Sequence, residues 1–94
     1  MPNRQFEWDE VKAASNYANH GVSFEAAMGV FNDPFAIEFL DERFDYGEDR
    51  FVLIGMTGHR VLTVVYTERD DRTRLISARH ATRYEQDEYS KQNT

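Results

Sequence analysis

The stretch RFVLIGMTGHRVLTVVYTERDDRTRLISAR, residues 50–79, decides the fold of this chain. Two of its segments, 50–56 and 60–68, are rich in β-branched and aromatic residues, which are typical of strands. The three residues between them, 57–59, include a glycine and predict a hairpin turn. The polar residues 68–72 predict a second turn. Because short turns join antiparallel neighbours, this stretch predicts the centre of an antiparallel sheet.

The last segment of this stretch, 74–79, predicts a further strand by its alternation. Side chains two residues apart lie on the same face of a strand. The pattern therefore predicts Leu75 and Ser77 on one face, and Ile76 and Ala78 on the other.

The residues at the start of the chain predict a short strand and a helix. An alternating pattern predicts the strand over 4–8. Asp9 is suited to cap a helix over 10–19, and Gly21 is suited to end it in a left-handed conformation. The predicted apolar face of this helix consists of Val11, Ala14, Tyr17 and Ala18.

A second helix and a further strand are predicted before the central stretch. Ser23 caps the helix over 24–31, and the residues Asn32-Asp33-Pro34 stop it. Alternating apolar residues over 35–40 predict the strand. Five acids among the nine residues 41–49 predict an exposed loop.

The end of the chain predicts one more helix. Thr82 and Glu85 have the spacing of a capping box, which opens a helix over 83–91. The complete order is β-α-α-β-β-β-β-α. It predicts an α+β fold, a mostly antiparallel sheet with helices packed on it.

The size and composition indicate one globular domain. The chain has 94 residues, of which 40% are hydrophobic, so a single domain over 1–94 is expected. The absence of cysteine excludes a disulfide scaffold, a thiolate zinc site and a cysteine nucleophile. No apolar run approaches the roughly 20 residues of a membrane helix, and no signal peptide opens the chain. We therefore expect a cytoplasmic protein without a membrane partner.

Charge is distributed unevenly along the chain, whose net charge is −6. Residues 1–50 contain eleven acidic and four basic residues, whereas residues 59–84 contain six arginines and three acids. An asymmetry of this kind indicates two partners of opposite charge, one basic and one anionic.

The sequence does not have the pattern of a metal or nucleotide site. His20, His59 and His80 show no metal-ligand spacing, and the acidic segment 41–49 lacks the ligand order of a calcium loop. There is also no phosphate-binding glycine loop and no nucleophilic serine elbow. We therefore expect no metal and no cofactor.

The segment 66–84, YTERDDRTRLISARHATRY, contains the residues best suited to chemistry. Arg72 and Arg74 share a strand face by their spacing. Arg79 lies an odd number of residues further along, so it joins them only if a bulge or the end of the strand redirects it.

Together with Glu68, His80 and Tyr84, these arginines have the chemistry needed to cleave RNA without a metal. A base removes the proton of the ribose 2′-hydroxyl, arginines stabilise the charge of the phosphorane, and an acid protonates the leaving 5′-oxygen. The residue types leave one alternative open. In it, Glu68, Asp70 and Asp71 neutralise the arginines in a salt-bridged strand face.

Three segments of the chain resemble the BrnT family of toxins from type II toxin–antitoxin pairs. They are 6–34, 47–55 and 64–85, and they occur in the family's order. The shared motifs are Trp8-Asp9 with Lys12, His20-Gly21-Val22-Ser23-Phe24, Asp33-Pro34, Gly47-Glu48-x-Arg50 and Ile76-Ser77-Ala78-Arg79.

The resemblance implies a RelE-like fold and an endoribonuclease that blocks translation. It also implies a tight complex with a BrnA-type antitoxin, expected as a heterotetramer. Antitoxins of that type carry a ribbon-helix-helix domain, so this chain would reach operator DNA only through its antitoxin.

Compared position by position, this chain matches the family pattern at Lys12, the stretch 66–69, Arg74 and Arg79, so the resemblance implies that these residues are functional. In the resulting hypothesis Arg79 binds the scissile phosphate with Arg74 or Arg69, and Tyr84 or Lys12 donates a proton or stabilises charge. Glu68 or His80 acts as the base. The expected catalytic residues are Glu68, Arg69, Arg79, His80 and Tyr84, and the expected RNA-binding residues are Lys12, Arg72, Arg74 and Arg83.

Two positions depart from the family pattern. Asn19 stands where lysine is common, which weakens the basic character near the first helix. His80 stands where arginine is common, and it either supplies a group that titrates near neutral pH or lowers the affinity for RNA. These departures and the net charge favour the alternative function, an antitoxin-binding co-repressor with weak or no catalysis.

Overall fold

The computed structural model describes residues 4–43, 45 and 47–93. Its elements are β1 (Phe6–Glu7), α1 (Glu10–His20), α2 (Phe24–Met28), a 3-10 turn (Gly29–Asn32), β2 (Ile37–Leu40), β3 (Phe51–Thr57), β4 (Arg60–Arg69), β5 (Arg72–His80) and α3 (Arg83–Gln92). This confirms the predicted α+β class and the order β-α-α-β-β-β-β-α. None of the described helices has both the length and the apolar composition needed to cross a membrane.

The strands form one five-stranded sheet in the order β1-β5-β4-β3-β2. β1 pairs with β5 in parallel, and the other neighbours are antiparallel. The turn between β4 and β5 is formed by Asp70 and Asp71, whose φ angles are 52° and 63°. Two consecutive residues with positive φ are typical of the tightest hairpin turns, so the polar turn is shorter than its sequence suggested.

The helices cover the two faces of the sheet unequally. α1, α2 and the 3-10 turn cover one face, which we call the helix face, and enclose the core formed by Val22, Phe24, Ala27, Val30, Leu53, Leu62, Val64, Tyr66, Leu75 and Ala78. α3 packs on part of the opposite face. This arrangement leaves the sheet surface beside α3 accessible.

α3 is held to the rest of the molecule by Tyr89. The Tyr89 hydroxyl donates to Oδ2 of Asp33 at 2.6 Å, and the backbone N–H of Met56 donates to the same oxygen at 2.7 Å. Burial and the Asp33 hydrogen bond raise the pKa of Tyr89 to about 12. Burial opposes ionisation of Asp33, but these hydrogen bonds lower the pKa of its carboxyl group.

A β-bulge in β5 changes the predicted alternation. Adjacent residues of β4 lie opposite Ser77 and Leu75, so Ile76 is the extra residue. Leu75 and Ala78 are both buried in the core, although they are three residues apart. The prediction that Leu75 shares a face with Ser77 is therefore wrong.

The predicted apolar face of α1 does not pack on the core, because Val11 and Tyr17 are exposed. The buried residue of this helix is Asn16. Its Nδ2 donates to the carbonyl oxygens of Ala78 (2.8 Å) and Val22 (3.0 Å), and its Oδ1 accepts from the N–H of Ala78 (3.1 Å). α1 thus lies along the edge of β5, where one amide side chain bonds the backbone groups that a neighbouring strand would otherwise pair.

The acidic segment 41–49 is not exposed throughout. Asp41 is buried, and its carboxylate accepts from Nε and Nη2 of Arg43 at 2.9 and 3.0 Å. The prediction of a solvated loop is therefore wrong at Asp41, where an ion pair lies beside the sheet. Residues 44 and 46 of the predicted loop lie outside the described residues.

Candidate active site

The bulge at Ile76 brings the arginines of β5 to one face of the sheet. Arg74 lies opposite Thr67, and Arg79 lies opposite Thr63. Because Thr63 and Thr67 are four residues apart on β4, their side chains share a face, and so do those of their partners. The side of the sheet that bears these two arginines, opposite the helix face, is called the arginine face below.

Three arginines at one end of the arginine face are paired with glutamates. Nη1 of Arg74 lies 2.9 Å from Oε2 of Glu7, and Nη1 of Arg72 lies 3.7 Å from Oε1 of the same residue. Nη2 of Arg69 lies 3.2 Å from Oε1 of Glu48. The strand face is salt-bridged, as one interpretation of the sequence proposed, but these partners come from outside the turn between β4 and β5.

Arg79 forms a two-pronged ion pair with Glu85. Its Nη1 lies 2.7 Å from Oε1 of Glu85, and its Nη2 lies 2.9 Å from Oε2. Oε1 also accepts from the hydroxyl of Thr63 at 2.9 Å and from the N–H of Thr82 at 2.8 Å, which confirms the capping box. The Glu85 side chain is 16% exposed and that of Arg79 is 38% exposed.

These contacts keep both members of the pair charged. Burial opposes ionisation of Glu85, but the hydrogen bonds from Arg79, Thr82 and Thr63 lower its pKa to about 2. The hydrogen bond to Glu85 raises the pKa of Arg79. At neutral pH Glu85 is therefore a carboxylate and a weak base, suited to hold a guanidinium rather than to remove a proton.

A cleft of about 260 Å³ lies beside this ion pair. The sheet contributes Arg79, Thr63 and Val65 to its walls, and Phe39, Arg43 and the acids Asp41, Glu42 and Glu85 line it as well. Two guanidinium groups therefore face one small cleft, where they can bind an anionic ligand such as a phosphate, but each is already paired with a carboxylate of the lining. Sequence analysis did not identify Arg43 as a candidate site residue, because it lies within the acidic segment 41–49. Its own positive charge was the one signal that could have indicated it.

The two predicted bases do not share this cleft. Glu68 follows Thr67 directly, so it lies on the helix face, where its Oε1 is 3.1 Å from Nη1 of Arg4. His80 lies opposite the core residue Leu62, so it also lies on the other side of the sheet from Arg79. The expected grouping of these two residues with the arginines is not formed.

The remaining predicted residues, Tyr84, Arg83 and Lys12, are on helices and not on the strands of the arginine face. Tyr84 is exposed in the first turn of α3 and lines a neighbouring groove with Glu85. Nε of Arg83 pairs with Oδ1 of Asp87 at 3.3 Å. Lys12 lies on the exposed side of α1, near the edge of β5. Of the predicted set, the arginine face therefore unites Arg69, Arg72, Arg74 and Arg79.

The guanidinium groups of the cleft suit an oxyanion, because guanidinium groups bind phosphate oxygens. Of the three carboxylates in its lining, Asp41 is paired with Arg43 and Glu85 with Arg79. Within the described ranges, no group of three or more histidine, cysteine or acidic side chains could hold a metal ion.

One comparison with known proteins identifies a family. The family model described as "Ribonuclease toxin, BrnT, of type II toxin-antitoxin system" matches residues 8–85. The matched range includes the bulge, Arg79 and Glu85. A search of curated proteins finds no match.

Proposed function

The chain belongs to the BrnT family of ribonuclease toxins of type II toxin–antitoxin systems, and from this we propose that it is a metal-independent endoribonuclease that cleaves RNA beside Arg79. The observation that carries the proposal is the bulge at Ile76, which turns Arg79 onto the same face as Arg74. The cleft at Arg79 adds the Arg43 guanidinium and a volume of about 260 Å³ for a phosphate and part of its ribose.

Arg79 can bind a phosphate without leaving Glu85. Nη1 donates to Glu85 and to the carbonyl oxygen of His80, and Nη2 donates once to Glu85. A guanidinium has five N–H groups, so Nε–H and one Nη2–H make no hydrogen bond to the described residues. These two donors are available to the oxygens of a phosphate, while Glu85 fixes the plane of the group.

The proposed reaction is a transfer within the RNA chain. The ribose 2′-oxygen bonds to phosphorus, the bond to the 5′-oxygen breaks, and the products carry a 2′,3′-cyclic phosphate and a 5′-hydroxyl. The 2′-hydroxyl proton passes to water, and Tyr84 is the proposed proton donor to the 5′-oxygen. Arg79 and Arg43 stabilise the charge that grows on the phosphorane oxygens, which is the main source of the rate enhancement.

The proposal also covers the effect of RNA cleavage on translation and the control of this toxin by an antitoxin. We propose that RNA cleavage inhibits translation in the cytoplasm and that a ribbon-helix-helix antitoxin from a neighbouring reading frame neutralises the toxin in a heterotetramer. In this proposal the complex binds operator DNA through the antitoxin, because the net charge of −6 on this chain disfavours direct DNA binding.

Cleavage of total RNA by the purified, antitoxin-free chain in EDTA tests the proposal. The wild type should cleave and leave 2′,3′-cyclic ends, whereas Arg79→Ala should be at least 100-fold slower. Arg60→Ala, which removes the same charge from the helix face of β4, two residues from the core residue Leu62, is the matched control and should cleave within threefold of wild type. Equal loss in both variants, or cleavage only when a metal is supplied, would contradict the proposal.

A second function, the antitoxin-binding co-repressor without catalysis, is favoured by the pairing of the arginines. In the described part of the chain, each arginine of the arginine face has a carboxylate partner: Arg69, Arg72, Arg74 and Arg79. If the wild type cleaves no RNA, even with ribosomes added, but still binds its antitoxin, this second function is the correct one.

A further inference from the structure

A second, larger depression lies between β2 and α3, on the far side of Glu85 from the arginines. It has a volume of about 650 Å³. Its apolar walls are formed by Ile37, Phe39, Ile54 and Tyr84, and Glu85 and Glu88 also line it. We call it the β2–α3 groove.

Exposed apolar side chains form part of this groove. Of the seven exposed large hydrophobic residues among those described, Phe39 and Tyr84 line it, and Phe35 and Met56 lie just before β2 and near the end of β3, whereas Leu40 lies opposite Phe51 on the helix face. An exposed apolar groove is typical of a surface that another protein covers.

The charge of the groove indicates which kind of partner covers it. Glu85 and Glu88 are its acidic side chains, because Glu38 lies opposite the core residue Leu53 and accepts from the Tyr66 hydroxyl on the helix face. Among the described residues, no lysine, arginine or histidine lines the groove. Glu85 is already neutralised by Arg79, but Glu88 is 4.0 Å from its nearest cation, Nζ of Lys91, which is too long for a hydrogen bond. An acidic, apolar groove repels the phosphates of RNA and attracts a basic segment with apolar anchors.

We propose that the β2–α3 groove binds an amphipathic, basic segment of the antitoxin, with apolar side chains between Phe39 and Tyr84 and a lysine or arginine at Glu88. The inference rests on the proposed function in taking the antitoxin as the partner. Phe39 and Glu85 line both the groove and the cleft at Arg79. A segment in the groove therefore lies against the cleft and blocks the approach of RNA to Arg79.

Two neighbouring acids on α3 provide a matched test of the charge. Glu88 lines the groove and its side chain is 31% exposed, whereas Asp87 pairs with Arg83 and is 68% exposed. Glu88→Lys and Asp87→Lys change the net charge equally. Titration of the neighbouring-frame antitoxin in a calorimeter should show at least tenfold weaker binding for Glu88→Lys, and binding within twofold of wild type for Asp87→Lys.

A second pair tests the apolar contact. Phe39 in the groove is 49% exposed, and Tyr17 on α1 is 59% exposed and distant from it in the fold. Phe39→Ser should weaken antitoxin binding at least tenfold, and Tyr17→Ser should leave it unchanged. Circular dichroism should show that all four variants are folded, since each replaced side chain is partly exposed.

The failure of this inference can be distinguished from that of the proposed function. RNA cleavage by free Glu88→Lys should equal that of wild type, and the antitoxin needed to inhibit it should rise in proportion to the dissociation constant. If the free wild type cleaves no RNA, the ribonuclease proposal fails, while calorimetry still tests the groove. The inference would be overturned if Glu88→Lys and Asp87→Lys lost antitoxin affinity equally, or if Tyr17→Ser alone lost it. It would also be overturned if the wild type self-associated and Glu88→Lys abolished that self-association.

Discussion

At Arg79, the carboxylate that holds the guanidinium in position also cancels its charge. Glu85 accepts four hydrogen bonds, two of them from Arg79, so the guanidinium cannot rotate freely. A fixed donor costs no reorganisation when charge develops on a substrate, which favours catalysis. The carboxylate opposes phosphate binding by the same guanidinium. The proposed site would therefore combine precise orientation with modest affinity for RNA.

The low pKa of Glu85 predicts how the stability of the protein depends on pH. The folded-state pKa is about 2, below the ordinary value of 4.5. The ion pair therefore contributes stability above pH 4.5, and the contribution is lost as the pH falls from 4.5 towards 2. Because Arg79 is 38% exposed and solvent screens the pair, we expect Glu85→Gln to lower the free energy of unfolding by about 1–2 kcal/mol at pH 7.

Urea denaturation of wild type and Glu85→Gln between pH 2 and 8 measures this effect. The difference between the two proteins should be constant above about pH 5 and should shrink below it. A difference that stays constant down to pH 2.5 would show that the loss comes from the cap at Thr82 or from packing, and not from the charge of Glu85.

The position of His80 predicts the pH dependence of the reaction. A histidine acting as the base would give a rate that rises with pH and levels off once the imidazole is neutral. His80 lies on the helix face and not in the cleft. We therefore expect His80→Gln and Glu68→Gln to cleave within threefold of wild type, with rate profiles of the same shape from pH 5.5 to 8.5. A profile whose inflection disappears in His80→Gln would restore the histidine as the base.

At the scale of elements, the edge of β5 depends on one side chain of α1. β1 pairs with only the first part of β5, and Asn16 bonds the N–H and the carbonyl of Ala78 further along. Asn16→Ala would leave these groups and the carbonyl of Val22 without their partner. We expect it to lower the free energy of unfolding by about 2–3 kcal/mol, which at this chain length lowers the Tm by about 10 °C or more.

Asn19 is the matched control for this prediction. It lies one turn away on the same helix and is exposed. Thermal denaturation of Asn19→Ala should give a Tm within about 2 °C of wild type, since exposed substitutions change stability by under about 0.5 kcal/mol. Similar losses in the two variants would indicate that helix propensity, and not the bonds to β5, determines the effect.

The elements that depend on local chemistry could be predicted from the sequence. The caps at Asp9, Ser23 and Thr82, the left-handed Gly21 and the order of strands all follow from short-range rules, and the structure has each of them. The bulge at Ile76 could not be predicted, because it results from the pairing of β5 with β4.

The buried face of α1 could not be predicted from the sequence either. Its amphipathic pattern favours a helix that packs by its apolar stripe, yet Asn16 is buried and Val11 is exposed. A polar side chain that replaces a strand at a sheet edge has the same sequence signature as one that faces water. Only the position of the helix relative to the sheet distinguishes the two.

Only part of the candidate site could be predicted from the sequence. The arginines of the segment 66–84 were identified by charge density, whereas Glu85 was predicted only as part of the capping box and not as a site residue. That Glu85 binds Arg79 depends on how α3 lies on the sheet, and the inclusion of Arg43 depends on how the segment 41–43 folds back beside it. Both are contacts between elements, which local patterns do not encode.

At the scale of the whole molecule, charge predicts a weak dependence of RNA cleavage on salt. The chain carries a net charge of −6, and its arginine face is internally paired. Binding of single-stranded RNA releases counterions in proportion to the number of phosphates neutralised, with a logarithmic slope of about −0.7 per phosphate. If Arg79 and Arg43 neutralise one or two phosphates, the slope of log kcat/KM against log salt concentration should lie between about −0.7 and −1.4.

Kinetics on a short single-stranded RNA from 50 to 400 mM salt measure this slope, and two substitutions locate its origin. Arg43→Ala should make the slope shallower by about 0.7, because it removes one phosphate contact from the cleft. Glu7→Gln frees Arg72 and Arg74 from their shared carboxylate, and it should steepen the slope if RNA passes over that end of the arginine face. A wild-type slope steeper than about −3 would mean that the backbone of the RNA follows a long basic track and that the acidic partners give way to it. The cleft at Arg79 would then be one contact among many, and RNA phosphates would displace the glutamates from the arginines of the arginine face when RNA binds.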